Sequence, residues 1–291
     1  MTSVDLGRIG AWGHLDTLSI PEARAYAARA EALGYGSLWV PETVGREPFT
    51  LLALLARETS QLVLGTSIVN IWGRDAQATR MGAKTLAEAT AGRFVLGLGV
   101  SHPHLAAKLR GHAFERPLTR MREYLAAYRA AIYRGPPDDG LEPPVLVAAL
   151  RERMTDLAAT DADGAYPYLV TPERVAWMRA RLDAAADGAR PILAVTLPVA
   201  LGGADAARAY LKPYLRTPTY HASWVLQGFT ADDWEAPGSD RLVSAMVATG
   251  SVADARARMD ALHAAGADHV AIIPVAPDGT DDHLPTLEAL A

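Results

Sequence analysis

The chain has 291 residues, half of them apolar, so it is long enough to bury a large core in one α/β domain. Its formal net charge is −5 and it has no run of Lys or Arg, which disfavours nucleic-acid binding. It has no cysteine, which excludes disulfides and thiolate chemistry. It shows neither a signal-peptide pattern nor the roughly 18 apolar residues of a membrane helix. We therefore expect a cytoplasmic protein without a membrane or nucleic-acid partner.

Eight short apolar segments, most of them followed by a helical pattern, predict the buried parallel strands of βα units. They are Arg8–Trp12, Ser37–Val40, Leu62–Ile68, Arg93–Leu98, Val145–Ala149, Ala165–Leu169, Ile192–Leu197 and His269–Val275. Ser19, Thr171 and Ser251 precede helical patterns as N-cap residues. Since a (β/α)8 barrel typically needs about 250 residues, the pattern predicts an α/β protein with a single TIM-barrel domain over residues 1–291.

Excess length lies in two places. Residues 135–144 predict a loop before the fifth strand, and residues 202–250 predict an insertion with extra helices between strands seven and eight. The active sites of such barrels lie on the loops that follow the strands. We therefore interpret the second insertion as a lid or wall of a site, with a surface decoration or a dimer contact as the alternative.

Residues 93–104 point most directly to a ligand site. An apolar run ends in Gly97 and Gly99 and is followed by Ser101 and His102. A parallel strand that ends in this way delivers polar groups to its carboxyl edge, where binding sites lie. Because glycine has no Cβ, a flat ligand can approach the backbone there. The segment therefore favours a binding or catalytic function.

Two ionisable residues at strand ends are candidates for catalysis. His102 is the candidate acid or base, because the ordinary pKa of histidine lies near physiological pH. The alternative is that it packs on a ligand or caps a helix. Glu42 is the candidate general acid or hydrogen-bond acceptor, and its alternatives are an N-cap or an ion pair with Arg46 or Arg74.

The other strand ends carry aromatic and basic side chains. We assign to a substrate pocket Trp12, His14, Trp72, Tyr166 and Tyr168. A metal site that includes His102 and His104 is disfavoured, because the His-Pro-His spacing does not aim both rings at one ion. Arg151 and Arg153 begin the helix after strand five, and a helix N-terminus with guanidinium groups can hold phosphate. Solvated surface arginines are the alternative.

With these strand ends assigned, the chain resembles the bacterial luciferase-like barrel family. It is most similar to the branch of coenzyme F420-dependent oxidoreductases, which use a deazaflavin. The matching segments are residues 34–42, 64–68, 92–99, 162–164 and 266–270. Together they run through nearly the whole chain, and Gly-Arg-Phe-x-Leu-Gly-Leu-Gly is the most specific of them.

The resemblance implies a cofactor site. The third strand of the family ends in a bulge with a non-prolyl cis peptide behind the deazaflavin, which corresponds to the bond between Ser67 and Ile68. Glu42 corresponds to a carboxylate near the ring system, and His102 stands where some members place a proton-transferring glutamate. The implied cofactor-binding residues are Ser67, Ile68, Asn70, Gly99, Val100, Ser101, Ala149, Leu150 and Arg151. The turn that holds the cofactor phosphate is glycine-rich in the family but lacks glycine here, and the charge of Arg151 would compensate.

The leading hypothesis is a coenzyme F420-dependent oxidoreductase that transfers a hydride between C5 of the deazaflavin and a small organic substrate. One alternative is an FMN-dependent luciferase-like monooxygenase that needs a reductase partner. The other is a non-catalytic, cofactor-binding barrel. We expect no bound metal. We expect a homodimer, because relatives commonly dimerise through helices on one side of the barrel.

Overall fold

Parallel strands form a closed barrel in the computed structural model, which describes residues 4–136, 140–276 and 283–291. The strands are β1 (Ile9–Trp12), β2 (Ser37–Val40), β3 (Val63–Thr66), β4 (Val69–Asn70), β5 (Phe94–Gly99), β6 (Val145–Val147), β7 (Gly164–Ala165), β8 (Ile192–Ala200), β9 (Ala248–Thr249) and β10 (His269–Pro274). All but β4 and β9 form the barrel wall, and β10 pairs with both β8 and β1, which closes it. The predicted (β/α)8 barrel is confirmed.

Helices surround the barrel and fill the insertion. In the described part of the chain they are α1 (Ile20–Ala32), α2 (Pro48–Leu55), α3 (Ala76–Ala89), α4 (Pro117–Ala130), α5 (Glu152–Thr160), α6 (Pro172–Ala185), α7 (Ala204–Leu211), α8 (Pro218–Val225), α9 (Ala231–Trp234), α10 (Asp240–Met246), α11 (Val252–Ala264) and α12 (Leu284–Leu290). None of these helices is long and apolar enough to cross a membrane. The predicted N-caps are confirmed, because Ser19, Thr171 and Ser251 each accept a hydrogen bond from the backbone N–H three residues on.

Two predicted strands differ in extent from the observed ones. The third ends at Thr66, where the peptide bond between Ser67 and Ile68 is cis, and pairing with β5 resumes in β4. The sixth ends at Ala165, because Pro167 has no N–H to continue the ladder. The insertion between β8 and β10 contains α7 to α10, as the sequence predicts. The predicted loop over residues 135–144 includes 137–139, which lie outside the described residues.

Apolar side chains among the described residues pack in three clusters. The largest lies between the barrel strands and the surrounding helices. A second fills the barrel and includes Trp39, Val95 and Leu146, which confirms that Trp39 is a core residue. The third lies in the insertion around Trp224, which is fully buried. The insertion therefore has a core of its own, which gives its helices a defined position above the barrel.

A buried hydrogen-bond network lies at the N-terminal end of the barrel. His269 is fully buried. Its Nδ1 lies 2.8 Å from the carbonyl of Gly7, while its Nε2 accepts from Nε1 of Trp39 at 3.1 Å and lies 2.9 Å from Oγ of Ser37. Because a carbonyl cannot donate, Nδ1 carries the proton and the ring is neutral. Burial lowers the pKa of His269 to about 4.

Gly10 leaves the space that this network occupies. A Cβ at this position would lie 2.1 Å from Oγ of Ser37 and 2.6 Å from Nε2 of His269. We expect Gly10→Ala to lower the free energy of unfolding by about 2–4 kcal/mol, since it adds overpacking to a lost buried hydrogen bond. Urea denaturation measures this change.

Gly82→Ala is the matched control. A Cβ at Gly82 would have its nearest contact at an ordinary 3.5 Å, from the ring of Phe49, and Gly82 lies inside α3. Alanine is favoured over glycine there by roughly 0.5–1 kcal/mol. An equal loss of stability in both variants would contradict the role assigned to Gly10.

Candidate active site

The carboxyl ends of the barrel strands open into a pocket of about 470 Å³. This volume is typical of small-molecule sites, which span about 300–1,000 Å³. Clefts of about 540 and 730 Å³ lie at the opposite end of the barrel and beside α6. We place the site in the smaller pocket because residues from many strand ends converge there, which is where (β/α)8 barrels carry their chemistry.

Most of the predicted site residues line this pocket. They are Trp12, His14, Glu42, Ser67, Ile68, Gly99, Val100, Ser101, His102, Ala149, Leu150, Arg151, Tyr166 and Tyr168. Asn70 and Trp72, which the sequence also assigns to the site, are not among the residues that line this pocket. Asn70 is buried and held by Glu42, and Trp72 donates from Nε1 to the carbonyl of Val100 at 2.8 Å.

The floor of the pocket lies where β3 ends. The bond between Ser67 and Ile68 is cis, as the resemblance implies, and Nε1 of Trp12 donates to Oγ of Ser67 at 2.8 Å. Gly99 lets Ile68 lie directly against β5, since a Cβ at Gly99 would come within 2.4 Å of Cδ1 of Ile68. Trp12, Ser67, Ile68 and Gly99 therefore line one side of the pocket at the ends of β1, β3 and β5.

Glu42 supports this floor. Its carboxylate accepts from the backbone N–H of Asn70 at 2.8 Å and also from the Asn70 side-chain amide. It pairs with Arg74 at 2.8 Å, and its side chain is only 7% exposed. The carboxylate oxygens are therefore committed to holding the chain after the bulge. The alternative of an ion pair with Arg74 is confirmed, while a catalytic role of Glu42, which also lines the pocket, stays a prediction.

His102 presents an uncommitted imidazole to the pocket. Its Nδ1 is buried and has no hydrogen-bond partner among the described residues. Burial, with a smaller contribution from the neighbouring His104, lowers the pKa of His102 to about 4. The ring is therefore neutral at pH 7, where it accepts a proton more readily than it donates one. The expectation that His102 titrates near physiological pH is corrected by this burial.

The turn after β6 fits an anionic group although it lacks glycine. It leads into α5, whose N-cap residue Arg151 makes no side-chain capping bond, so first-turn N–H groups remain for a ligand. Arg174 lies behind the turn, nearly buried, and donates to the carbonyl of Leu150 at 2.7 Å. Arg151 and the N-terminus of α5 thus lie where the resemblance implies a phosphate, while Arg174 holds the turn from the side of the cleft beside α6.

Two hydroxyl groups inside the pocket are also available to a ligand. The hydroxyls of Tyr166 and Thr196 are buried and have no partner in good hydrogen-bond geometry among the described residues. Burial raises the pKa of Tyr166, and the nearby hydroxyls of Ser67 and Thr196 partly oppose this rise. Over the same residues, no group of three or more His, Asp or Glu side chains is arranged to hold a metal ion.

The insertion contributes site residues that the sequence reasoning missed. Tyr210, Tyr214 and Tyr220 line the pocket together with Tyr168. Tyr210 lies in the last turn of α7, Tyr214 begins a 3-10 turn after it, and Tyr220 lies in α8. The sequence carries no periodic signal that joins them, and only the fold brings them together at the strand ends.

The barrel, its strand-end pocket and the cis bond at the end of β3 are the features that the resemblance to the luciferase-like oxidoreductases implies. The sequence profile of the luciferase-like monooxygenases matches residues 1–269, and the chain belongs to this family. A similar protein is a putative coenzyme F420-dependent oxidoreductase of Mycobacterium tuberculosis. It is 28% identical over 245 residues, which cover 72% of this chain and 70% of the relative.

Solved structures of both cofactor classes share the fold. An F420-dependent secondary alcohol dehydrogenase in complex with an F420-acetone adduct superposes with a TM-score of 0.76 at 14% identity, over 98% of this chain and 99% of that one. The oxygenating constituent of 3,6-diketocamphane monooxygenase from Pseudomonas putida, in complex with FMN, gives 0.71 at 17% identity, over 97% and 96%. At these identities the likeness shows the fold alone.

Proposed function

We propose that this protein is a coenzyme F420-dependent oxidoreductase that transfers a hydride between the deazaflavin and a small organic substrate. The observation that carries the proposal is the position of His102, which is neutral at pH 7 and whose Nδ1 has no hydrogen-bond partner among the described residues, in the same pocket as Ile68 and Gly99. A planar hydride carrier and one proton-exchanging group are what such a reaction needs. The relatedness to a putative F420-dependent oxidoreductase supports this choice of cofactor.

The residues present fit a deazaflavin nucleotide. Ile68 and Gly99 would support the ring system, and Ser101 would border it. Arg151 and the first turn of α5 would hold the phosphate. When bound, the deazaflavin supplies a carbon centre that accepts or donates hydride without forming the oxygen adduct of a flavin.

The protein's own side chains have distinct tasks in this proposal. His102 accepts the substrate proton at its imidazole when the substrate is oxidised, and returns it in the reverse direction. Glu42 keeps the chain after the bulge in position through Asn70 and Arg74. The aromatic side chains around the pocket exclude water from the reacting groups, which strengthens every polar interaction there.

Cofactor titration tests this proposal. We expect saturable binding of F420, followed by the change in its ring fluorescence, and no comparable binding of FMN. Arg151→Ala is expected to weaken F420 binding by about tenfold, the effect of losing one charge-assisted hydrogen bond. Arg153→Ala is the matched control, because Arg153 lies on the same helix but does not line the pocket.

Two outcomes would overturn the assignment. Binding of FMN without F420 would indicate the monooxygenase reaction, which the FMN-bound neighbour of the same fold makes the second candidate. Failure to bind either cofactor would indicate a non-catalytic barrel.

A further inference from the structure

We propose that the substrate is an uncharged aromatic alcohol or ketone, selected by a tyrosine wall made of Tyr168, Tyr210, Tyr214 and Tyr220. The choice of an alcohol or ketone rests on the proposed function. In that reaction the cofactor takes a hydride from a carbon–hydrogen bond and the proton acceptor takes a proton from an oxygen–hydrogen bond of the same substrate, which converts an alcohol into a ketone. The preference for a substrate with an aromatic ring and no charge rests only on the residues that line the pocket.

Three rings of the tyrosine wall, those of Tyr168, Tyr214 and Tyr220, pack edge to face, and the ring of Tyr210 lies tilted against Tyr214. The ring of Tyr214 lies 5.4 Å from that of Tyr168 and 5.3 Å from that of Tyr220, with interplanar angles of 74° and 87°. The rings of Tyr168 and Tyr220 lie 5.8 Å apart at 85°. These are the distances and angles that aromatic pairs prefer. A planar ring in the pocket can therefore extend the same packing, which a saturated ring cannot.

The wall is continuous with the proton-exchanging group. The ring of Tyr220 lies 5.4 Å from that of His102. Tyr220 is buried, whereas Tyr168, Tyr210 and Tyr214 keep part of their surface accessible and all line the pocket. A substrate whose ring packs on the wall thus brings a neighbouring alcohol or ketone group toward the imidazole.

The tyrosine hydroxyls are neutral. Burial raises the pKa values of Tyr168, Tyr210 and Tyr220 well above that of free tyrosine, and the neighbouring Tyr214 raises each of them further. The hydroxyls of Tyr168 and Tyr210 are hydrogen-bonded to each other. The wall therefore offers apolar faces and neutral edges, and no counter-charge for an ionised substrate.

The charged residues that line the pocket are already paired or lie at its rim. Glu42 is bonded to Arg74, and His14 lies 3.6 Å from a carboxylate oxygen of Asp16. Arg151 is exposed at the turn assigned to the cofactor phosphate. Since a charge buried without a partner is strongly disfavoured, a substrate with a carboxylate or ammonium group is excluded from the tyrosine wall.

Calorimetric titration with three ketones tests the proposal on the F420-loaded protein. We expect acetophenone to bind about 2- to 10-fold more tightly than cyclohexyl methyl ketone. This factor is the affinity that an aromatic pair adds to the effect of its buried apolar area. We expect 4-acetylbenzoate, which adds a carboxylate, to bind weaker than acetophenone by a factor on the order of 100. Tyr214→Leu is expected to abolish the aromatic preference, whereas Tyr133→Leu, outside the pocket, keeps it.

The failure of this inference differs from the failure of the proposed function. Equal affinity for the aromatic and saturated ketones, or tight binding of the carboxylate, would overturn the tyrosine wall as the selecting element even if F420 binds. If only FMN binds, the same titrations on the FMN-loaded protein show whether the pocket prefers an aromatic or a saturated substrate ring. In that case the alcohol or ketone assignment fails together with the proposed function.

Discussion

Replacing His102 by alanine is expected to lower kcat by about 10²–10⁴-fold, the contribution of a well-placed acid or base. Nδ1 of His102 has no hydrogen-bond partner in the described part of the chain, so the substitution removes the proposed proton acceptor without breaking a bond to the rest of the pocket. F420 affinity is therefore expected to stay close to that of the wild type. Stopped-flow turnover and fluorescence titration measure the two quantities separately.

His104→Ala provides the control for this prediction. His104 is exposed and its ring stacks on that of His102 at 6.0 Å, but it does not line the pocket. We expect His104→Ala to keep most of the turnover. If His102→Ala retained wild-type kcat, His102 would have no part in proton transfer.

The pH profile gives a second measure of His102. Because its pKa lies at about 4, the ring is neutral throughout the physiological range and becomes protonated only in acid. Turnover in the direction of substrate oxidation is therefore expected to be flat between about pH 6 and 8, and to fall as the pH approaches 4. A fall centred near the ordinary histidine pKa would show that His102 is exposed to water during turnover.

The stability of the fold is expected to fall as the pH is lowered from about 6.5 to about 4, because of His269. Its pKa is about 4 in the folded state, with burial as the main cause, against an ordinary value of 6.5 when unfolded. Between these two values the unfolded chain binds more protons, so acid favours unfolding. The shift corresponds to about 3 kcal/mol, fully present above pH 6.5 and lost by about pH 4.

Protonation would also disrupt the local network. The nitrogen that accepts from Trp39 would become a donor, and Ser37 could no longer donate to it. Nearby, His263 lowers the pKa of His269 further, while Asp5 and the carbonyl of Gly7 raise it. Burial outweighs these smaller contributions, so the ring of His269 stays neutral and is held by Gly7, Ser37 and Trp39.

Urea denaturation at several pH values, on the wild type and on His269→Gln, measures this contribution. The variant is expected to be less stable at pH 7 but to lose about 3 kcal/mol less than the wild type between pH 6.5 and 4. Imidazole NMR titration of the wild type gives the same information without a mutation. If His269 titrated near pH 6.5 in the folded protein, the prediction would be wrong.

The sequence predicts the barrel and most of its pocket for a physical reason. Buried parallel strands read as short apolar runs, and the residues that follow them must meet at one edge once the barrel closes. This places Trp12, Ser67, His102 and Tyr166 in one site although they are far apart in the chain. The N-caps of the helices are equally local signals, since the partner of each cap lies three residues away.

The hydrogen-bond partners and protonation of the buried ionisable residues depend on segments that are distant in the sequence. The partners of Glu42 come from the segment after β3, and those of His269 come from β2 and the chain before β1. Whether Asn70 faces the pocket or lies behind it depends on these contacts. No periodicity in the sequence reports them, because they join residues separated by many tens of positions.

The strands, their order, the family and the strand ends that build the pocket can be predicted from the chain, because they follow from apolar patterning and short motifs. The bonds of Glu42 to Asn70 and Arg74, the lowered pKa of His102 and the tyrosines that the insertion adds to the pocket emerge only in the folded protein. Burial and charge pairing set these properties, and both arise only when distant segments come into contact.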